Sequence, residues 1–200
     1  MAISSENPFA MRSNYESSLR IARPHLTVIK RATEMSLACV LLVLAAPVIL
    51  ISGLAIRLTS RGPVFYVQKR MGLNGRIFTI YKLRTMYRDS EPNGPQWWTR
   101  GDRRVTPVGW FLRATHLDEL PQIFNILLGD MSLVGPRPER PEIITELEVE
   151  LPEYHLRHTI RPGVTGLAQV LLPPDESVES VSRKLEHDLA YIEHMNFCLD

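Results

Sequence analysis

The longest apolar run in the chain is MSLACVLLVLAAPVILISGLAI, 22 residues from Met35 to Ile56 without a charged side chain. At about 1.5 Å per residue, a helix of this length reaches roughly 33 Å, which is enough to cross the hydrocarbon core of a bilayer. The run follows a polar segment that contains acidic residues, and it lacks an Ala-x-Ala cleavage pattern, so a removable signal peptide is not expected. Its unbroken length favours a membrane helix over the buried helix of a soluble core.

Basic residues flank this run on both sides, which is unusual for a helix that spans a membrane. They are Arg20, Arg23, Lys30 and Arg31 before the run, and Arg57, Arg61, Lys69 and Arg70 after it. The positive-inside rule assigns both flanks to the cytoplasmic side, and a single spanning helix cannot satisfy both. Pro47, near the middle, removes one backbone hydrogen bond. We therefore predict a re-entrant hairpin over residues 30–60 that breaks at Ala46-Pro47 and returns to the cytoplasmic face.

The remaining patterns predict short strands and amphipathic helices. Residues 64–68 and 77–83 are rich in β-formers on either side of a Gly-Leu-Asn-Gly turn, which indicates a hairpin. Residues 87–104 are rich in Pro, Gly, Asp and Arg and are predicted to form a loop that carries the Trp97-Trp98 pair. Helices are predicted after Thr115, over residues 142–150 and over residues 177–195. The predicted fold class is α+β: a mostly helical, membrane-associated domain with a re-entrant N-terminal hydrophobic helix and a small β-hairpin.

Composition narrows the class of protein only in part. The chain has 200 residues, 44% of them apolar, which suits one domain with its own core. Its only cysteines, Cys39 and Cys198, form no CxxC pair, so a disulfide framework or thiolate zinc site is not expected and a reducing compartment is favoured.

The net charge of +1 conceals two charged regions. Residues 57–113 carry 12 Lys/Arg against 3 Asp/Glu, whereas residues 139–200 carry 5 against 13. A basic middle segment makes a nucleic-acid binder one alternative. The membrane hairpin and the acidic C-terminal third argue against nucleic acid as a partner.

The segment THLDELPQIFNILLG carries two adjacent acids, Asp118 and Glu119. Thr115, three residues before Asp118, forms a helix-capping pattern, and acids in a first turn stabilise a helix by about 0.3–1 kcal/mol each. The nearby Arg113 and Arg137 favour chemistry instead, because phosphoryl transfer uses carboxylate-held metal ions and Lys/Arg clamps on phosphate oxygens. An ionised Asp can also be the nucleophile. We expect the helix start and the arginines to keep the pKa of Asp118 low.

Five motifs follow in order between Gln68 and Val170: QKRMG, YKLRTM, FLRATHLDELPQIFN, GDMSLVGPRP and RPGVTGLAQV. With the preceding hydrophobic helix, they closely resemble the bacterial sugar transferases, the monotopic phosphoglycosyl transferases, over residues 30 to about 200. The resemblance implies transfer of a sugar-1-phosphate from a UDP-sugar to polyprenyl (undecaprenyl) phosphate, with UMP as the second product. It places this reaction at the cytoplasmic face of the bacterial inner membrane, in contact with membrane lipid, with Mg²⁺ as cofactor.

The resemblance also implies roles for individual residues. Asp118 would be the nucleophile that forms an aspartyl-phosphosugar intermediate, and Glu119 its partner in proton handling; both would hold the metal. In the substrate-binding set, the cations Lys82, Arg84, Arg113, Arg137 and Arg161 would hold phosphate oxygens. Pro138, the remaining member of the set, would stiffen the loop of the GPRP motif. The implied organisation is an N-terminal polar arm at residues 1–29, the membrane region at 30–60 and a cytoplasmic catalytic domain at 61–200.

Several alternatives stay open at the level of sequence. The chain ends at FCLD, where members of that family generally continue into a further helical segment, so a catalytically inactive, membrane-anchored scaffold of a glycan assembly pathway is the second interpretation. The sequence indicates neither which sugar is transferred nor whether the product is capsule, exopolysaccharide, O-antigen or glycoprotein glycan. A homo-oligomer is possible on this sequence, which does not decide the oligomeric state.

Overall fold

The computed structural model describes residues 24–88, 90, 102–174 and 177–195. The helices are α1 (Pro24–Thr59), α2 (Pro107–Ala114), α3 (Gln122–Leu128), α4 (Pro141–Glu150), α5 (Leu167–Leu171) and α6 (Val178–His194). The strands are β1 (Phe65–Met71), β2 (Ile77–Leu83), β3 (Ser132–Val134) and β4 (Gly163–Thr165). Short 3₁₀ turns occupy Leu73–Gly75, Leu117–Glu119 and Pro152–Thr159. The predicted α+β class is confirmed, while most of the predicted N-terminal arm and the Trp97-Trp98 pair lie outside the described residues.

Helix α1 is the predicted apolar helix, and it begins at Pro24, ahead of the predicted boundary at residue 30. Residues Val28–Thr59 include an 18-residue window with a mean hydropathy of 2.8 and are long and apolar enough to cross a membrane. The helix continues through Pro47, so the break and the return to the same face stay predictions. One side, which includes Ala38 and Ile56, is buried against the rest of the protein, while the opposite side is exposed.

The start of α1 is fixed to the globular body by charged side chains. The Arg31 guanidinium donates hydrogen bonds to the Ile126 carbonyl at 2.6 Å and the Met131 carbonyl at 3.4 Å. The buried Glu34 carboxylate accepts hydrogen bonds from the Ser132 hydroxyl and, at 3.1 Å, from the Leu133 amide. A charged group is buried at low cost only when it has such partners, so these contacts specify where the helix starts on the body.

The end of α1 is fixed by Arg84, which follows β2. Its guanidinium donates to the Ser60 carbonyl at 2.9 Å, the Ser60 hydroxyl at 2.7 Å and the Arg61 carbonyl at 2.9 Å. The Arg84 side chain therefore supplies donors to carbonyl groups at a helix C-terminus, which have no partner within the helix. Both ends of the apolar helix thus contact the same globular body.

Strands β1 and β2 form the predicted antiparallel hairpin, with register from Phe65 opposite Leu83 to Met71 opposite Ile77. The first strand starts and ends later than the predicted residues 64–68. Helix α3 packs against β2 through the fully buried Asn125. Its side chain accepts from the Tyr81 amide at 3.1 Å and donates to the Thr79 carbonyl at 2.7 Å. This pair of hydrogen bonds sets the position of α3, and of the turn before it, relative to the hairpin.

The second sheet, β3 with β4, is parallel and was not predicted. It pairs Ser132 with Gly163 and Val134 with Thr165. A Cβ on Gly163 would lie 2.2 Å from the Gly135 nitrogen, so the two segments can approach this closely only with glycine there. The sheet fixes the start of the loop that carries Arg137.

Two hydrophobic clusters form the interior. The first joins α1 to β2, α2 and α3 through residues such as Ile56, Leu83, Leu112 and Ile126. The second joins α4, the Pro152–Thr159 turn and α6, and its members are Ile144, Leu147, Tyr154, Leu156, Val181, Leu185, Leu189 and Ile192. The predicted helices over residues 142–150 and 177–195 are confirmed as α4 and α6.

The position of Arg84 makes a prediction about stability. Arg84→Gln removes charged donors from carbonyls at the end of α1, so we expect the free energy of unfolding to fall by about 3 kcal/mol and the thermal midpoint in detergent by roughly 6–12 °C. Arg61→Gln is the matched control, because it removes the same charge from an exposed side chain. A variant that keeps its thermal midpoint but loses substrate binding would instead support the substrate-binding role implied by the resemblance.

Candidate active site

The adjacent acids lie in a turn between α2 and α3, and the local structure differs from the predicted capping. Thr115 ends α2, and its hydroxyl donates to the Phe111 carbonyl at 2.8 Å. The prediction that Thr115 caps the following helix is therefore wrong, because the last carbonyls of α2 need donors and take this one. The chain then reverses at His116, whose φ of 56° is left-handed. The 3₁₀ turn Leu117–Glu119 follows, with α3 starting only at Gln122.

This turn buries the Asp118 side chain, which is 8% exposed. Among the described residues, no side chain makes a hydrogen bond or salt bridge with its carboxylate; the carboxylate bonds to its own backbone amide, and the charges of Lys82 and Arg113 act on it. Burial raises the pKa of Asp118, and Lys82 and Arg113 oppose only part of the shift. The expectation of a low pKa is wrong, because burial dominates and the helix start that would stabilise the anion lies further along the chain, at Gln122.

Glu119 has the opposite environment. Its carboxylate accepts hydrogen bonds from the Lys82 ammonium at 2.7 Å and from the Arg137 guanidinium at 2.6 Å. Burial by itself would raise the pKa of Glu119, but Arg137 and Lys82 together outweigh it and lower the pKa to about 2. Burial and the charge of Arg137 lower the pKa of Lys82, and Glu119 offsets part of that shift. Glu119 is therefore a fixed anion that holds two cations in place.

Arg113 completes the cluster from the last turn of α2. Its Nε donates to the Thr85 hydroxyl at 2.8 Å, and its charge interacts with Asp118 and Asp102. In the described part of the chain, the two terminal nitrogens of Arg113 have no hydrogen-bond partner. A guanidinium positioned by Nε and free at its terminal nitrogens can bind two oxygens of a phosphate.

The structure thus brings together Asp118, Glu119, Lys82, Arg113 and Arg137 from the predicted set. Arg84 is used at the end of α1, as described above.

For the two remaining members of the set, Arg161 and Pro138, the structure shows hydrogen bonds that do not involve the acids. Arg161 donates to the Gly129 carbonyl at 3.0 Å, at the far end of α3 from the acids. The seven residues of α3 separate the two ends by about 10 Å. The Pro138 carbonyl accepts a hydrogen bond from Arg70 at 3.0 Å. Substrate contacts for Arg84, Pro138 and Arg161 stay predictions.

Sequence reasoning missed the residues that hold the backbone of Arg137 in place. Arg157 donates to the Arg137 carbonyl at 3.1 Å and forms a buried ion pair with Asp188 at 2.6 Å. Its other terminal nitrogen donates to the Tyr154 hydroxyl. A signal existed in the sequence: Asp188 lies on the apolar stripe of α6, beside Leu185, where an acid requires a buried partner.

A groove of about 940 Å³ opens beside the cluster. Helix α1 contributes Leu41, Leu44 and Val48 to its lining, which also includes the polar residues His116, Glu119, Arg137, Thr165, Gln169 and Lys184. The candidate site is therefore continuous with a surface formed by the apolar helix.

The residues present are compatible with a magnesium ion. Mg²⁺ takes oxygen ligands and is commonly held by one or two carboxylates together with substrate phosphates. The Asp118 carboxylate has no side-chain donor on its oxygens within the described residues, whereas the oxygens of Glu119 are already engaged by Lys82 and Arg137. The donor set fits a metal held by Asp118 and phosphate oxygens, with Glu119 as a predicted second ligand that would share its charge with the two cations. Within the described ranges no group of three or more His, Cys, Asp or Glu side chains is placed to hold a metal ion by itself.

Comparisons with known proteins identify relatives of this chain. A family model described as "Bacterial sugar transferase" matches residues 25–200. The chain is 42% identical over 177 residues to the UDP-N-acetylgalactosamine-undecaprenyl-phosphate N-acetylgalactosaminephosphotransferase of Aeromonas hydrophila, a match that covers 88% of the chain and 42% of that protein. It is 47% identical over 167 residues to the UDP-glucose:undecaprenyl-phosphate glucose-1-phosphate transferase of Caulobacter vibrioides, covering 82% of the chain and 62% of that protein.

A third relative has a length closer to that of the chain. The exopolysaccharide production protein PSS of Rhizobium leguminosarum is 38% identical over 179 residues, which cover 86% of the chain and 90% of that protein. The chain therefore spans less than two thirds of the first two relatives and nearly all of the third.

The ion pairs of Glu119 predict a dependence of stability on pH. The pKa of Glu119 is lower in the folded protein than its ordinary 4.5. Its contribution to the free energy of unfolding is therefore complete above about pH 5 and is lost as the pH falls toward 2. We expect Glu119→Gln to reduce the free energy of unfolding by about 3 kcal/mol at pH 7 and by much less at pH 3. Denaturant unfolding in metal-free buffer measures both; parallel curves for the two proteins from pH 7 to pH 3 would contradict the prediction.

Proposed function

Because the chain belongs to the bacterial sugar transferase family, we propose that it transfers a sugar-1-phosphate from a UDP-sugar to polyprenyl phosphate, giving polyprenyl diphosphate-sugar and UMP. We place this reaction at the cytoplasmic face of the bacterial inner membrane, as the first membrane step in the synthesis of a surface glycan. The observation that carries the proposal is the buried Asp118 carboxylate, which no described side chain binds and which lies within the field of Lys82, Arg113 and Arg137. Burial of a carboxylate without a side-chain partner costs stability, so an inactive scaffold gives no reason to retain it.

In the first half-reaction, an oxygen of the Asp118 carboxylate attacks the phosphorus that bears the sugar. A new oxygen–phosphorus bond forms, the bond from that phosphorus to the bridging oxygen breaks, and UMP leaves with the electron pair. Arg113 and Lys82 act on Asp118 electrostatically, so they are placed to hold the oxygens of the same phosphate. A bound Mg²⁺ would neutralise charge on the diphosphate, held by Asp118 and Glu119.

In the second half-reaction, a phosphate oxygen of polyprenyl phosphate attacks the phosphorus of the aspartyl-phosphosugar. The bond to Asp118 breaks, its carboxylate is restored, and the diphosphate linkage of the product is formed. A carboxylate with a pKa of about 2 is a weak base at neutral pH. In this proposal Glu119 therefore positions Lys82 and Arg137, and the implied role in proton handling becomes secondary to that.

We also propose that α1 enters the membrane and returns to the same side. A straight helix of 36 residues would be about 54 Å long, and a spanning helix would carry one end across the bilayer. Arg31 and Glu34 near the start, and Ser60 just after the end, instead contact one globular body. A globular body on the cytoplasmic side cannot make both sets of contacts with a helix whose ends lie on opposite sides.

An assay with purified protein tests the reaction. Detergent-solubilised protein is incubated with polyprenyl phosphate, Mg²⁺ and each of a panel of UDP-sugars, and the released nucleotide is identified. We expect UMP with at least one sugar. Release of UDP would mean ordinary glycosyl transfer and would contradict the proposal, and no release with any sugar would favour the scaffold interpretation.

The covalent step is tested in the same assay with Asp118→Asn, which keeps the side-chain size and removes the anion. We expect UMP release to fall at least a thousandfold, on the order of the loss seen when a nucleophile is removed, and the aspartyl-phosphosugar mass to disappear from intact-protein spectra. Asp130→Asn is the matched control, since Asp130 lies beyond the far end of α3. If the Asp118→Asn protein folds and releases UMP at nearly the rate of the unsubstituted protein, the covalent role is ruled out.

The topology of α1 is tested by cysteine labelling in a background without Cys39 and Cys198. Single cysteines replace Val28 and Arg61, which are exposed at the two ends of the helix. We expect a membrane-impermeant maleimide to label neither position in intact spheroplasts and both in inverted vesicles. Labelling of one position in spheroplasts would mean that the helix spans the bilayer.

A further inference from the structure

Thr85 is a buried polar residue of the YKLRTM motif to which the proposed reaction gives no role, and it is 6% exposed. Its backbone carbonyl accepts hydrogen bonds from the Thr106 amide at 2.9 Å and from the Thr106 hydroxyl at 3.3 Å. Thr106 directly precedes α2, and its hydroxyl caps that helix by accepting from the Gly109 amide at 2.9 Å. The start of α2 is therefore fixed to Thr85 through Thr106.

Helix α2 also packs directly on the backbone of Thr85. A Cβ on Gly109 would lie 2.0 Å from the Thr85 carbonyl oxygen, so the helix can approach this closely only with glycine there. Arg113 follows Gly109 by four residues, which places both on the same face of α2. Because the side chains of a helix point toward its N-terminus, the Arg113 side chain extends back over Gly109 toward Thr85.

The hydroxyl of Thr85 fixes the guanidinium that arrives from the other end of α2. The Arg113 Nε donates to this hydroxyl at 2.8 Å, and within the described ranges that is the only hydrogen bond of the Arg113 side chain. The neighbouring acids do not replace it: Asp118 acts on Arg113 by charge without a salt bridge, and the Asp102 carboxylate pairs with Arg104 at 2.6 Å. A long side chain held at one nitrogen loses most of its rotamer freedom, so the Thr85 hydroxyl decides where the terminal nitrogens of Arg113 lie.

We propose that Thr85 is a positioning residue for the first half-reaction: its hydroxyl orients the Arg113 guanidinium so that both terminal nitrogens face the phosphate that Asp118 attacks. The inference rests on the proposed function and deepens it. Lys82, the other cation that acts on Asp118, lies three residues earlier, at the end of β2. One short segment thus sets the distance between the two cations before the substrate binds, which lowers the cost of ordering them during the reaction.

Replacement of the hydroxyl tests this role. Thr85→Val keeps the shape of the side chain and removes the acceptor. Thr79→Val is the matched control, because the Thr79 hydroxyl also belongs to the hairpin but accepts from Lys69 at 3.2 Å. The rate constant of the UMP burst is measured by rapid quench without polyprenyl phosphate. We expect Thr85→Val to lower it about tenfold, the scale of a hydrogen bond to a charged group, and Thr79→Val to leave it unchanged.

A second pair of variants keeps the test independent of the folding of Thr85→Val. Thr85→Ser and Thr85→Ala differ by a single oxygen atom, and only the first retains an acceptor for the Arg113 Nε. We expect Thr85→Ser to keep the burst rate within about twofold of the unsubstituted protein and Thr85→Ala to lose about tenfold. Thermal midpoints of the two variants are measured alongside and are expected to be similar.

A double-mutant cycle with Arg113 separates positioning from a general effect on the fold. In an Arg113→Ala protein the Thr85 hydroxyl has no guanidinium to orient. Adding Thr85→Val should then lower the burst rate by no more than about twofold. A role in the fold alone would give the same tenfold loss with and without the arginine.

Three results would overturn the inference while leaving the proposed function in place. The first is an unsubstituted protein that releases UMP together with unchanged burst rates in Thr85→Val and Thr85→Ala. The second is an equal loss in Thr85→Ser and Thr85→Ala, and the third is an undiminished loss from Thr85→Val in the Arg113→Ala protein. Absence of UMP release from the unsubstituted protein would overturn the proposed function and the inference with it.

Discussion

The carboxylate of Glu119 holds together three parts of the chain that are far apart in sequence. It accepts hydrogen bonds from Lys82 at the end of β2 and from Arg137 in the loop after β3. The Arg137 backbone is in turn held by Arg157, whose partner is Asp188 on α6. This chain of charges runs from the first hydrophobic cluster to the second. The position of the turn Leu117–Glu119 relative to both hydrophobic clusters therefore depends on one buried anion and the cations that donate hydrogen bonds to it.

The pairing of Glu119 also decides the state of its neighbour. Because Lys82 and Arg137 donate to Glu119, the buried Asp118 carboxylate has no side-chain hydrogen-bond partner among the residues described and bonds only to its own backbone amide. Two acids of similar intrinsic pKa thus diverge, with Glu119 shifted down to about 2 and Asp118 shifted up by burial. Environments that separate the pKa values of adjacent carboxylates are a common way to give them different chemical tasks. Here one acid organises the cations and the other stays free to react.

The apolar helix α1 is bound to this arrangement at both ends. Near its start Arg31 and Glu34 contact α3 and β3, and after its end Ser60 contacts Arg84. The contacts at the start of α1 involve the C-terminal half of α3, and the turn Leu117–Glu119 directly precedes the start of α3. Helix α1 and the candidate site are therefore both held by α3. A membrane element fixed in this way keeps a reactive group at a defined distance from the bilayer. That is a requirement for any reaction between a water-soluble donor and a lipid-bound acceptor.

The local patterns of the sequence predicted much of the fold. The apolar run, the hairpin around its Gly-Leu-Asn-Gly turn, and helices α4 and α6 follow from periodicity and turn residues that act within a few positions of one another. The same local reasoning failed at Thr115, which lies at the C-terminal end of α2 and does not cap the helix that follows. The Thr115 hydroxyl donates instead to a carbonyl of α2, and the sequence patterns did not predict where α2 ends.

Tertiary structure decided which charged residues form the candidate site. The motifs supplied Lys82, Arg84, Arg113, Arg137 and Arg161 as equivalent cations, and only the fold separated those near the acids from those that hold the ends of helices. The Lys82–Glu119 contact joins residues 37 positions apart, and the Arg157–Asp188 contact joins residues 31 apart. Hydrophobic periodicity is a property of neighbouring positions, so the sequence by itself determined the helices, the hairpin and the acidic pair. Ion pairing and desolvation depend on distances between remote segments, so the charge state of each acid was settled only when the chain had folded.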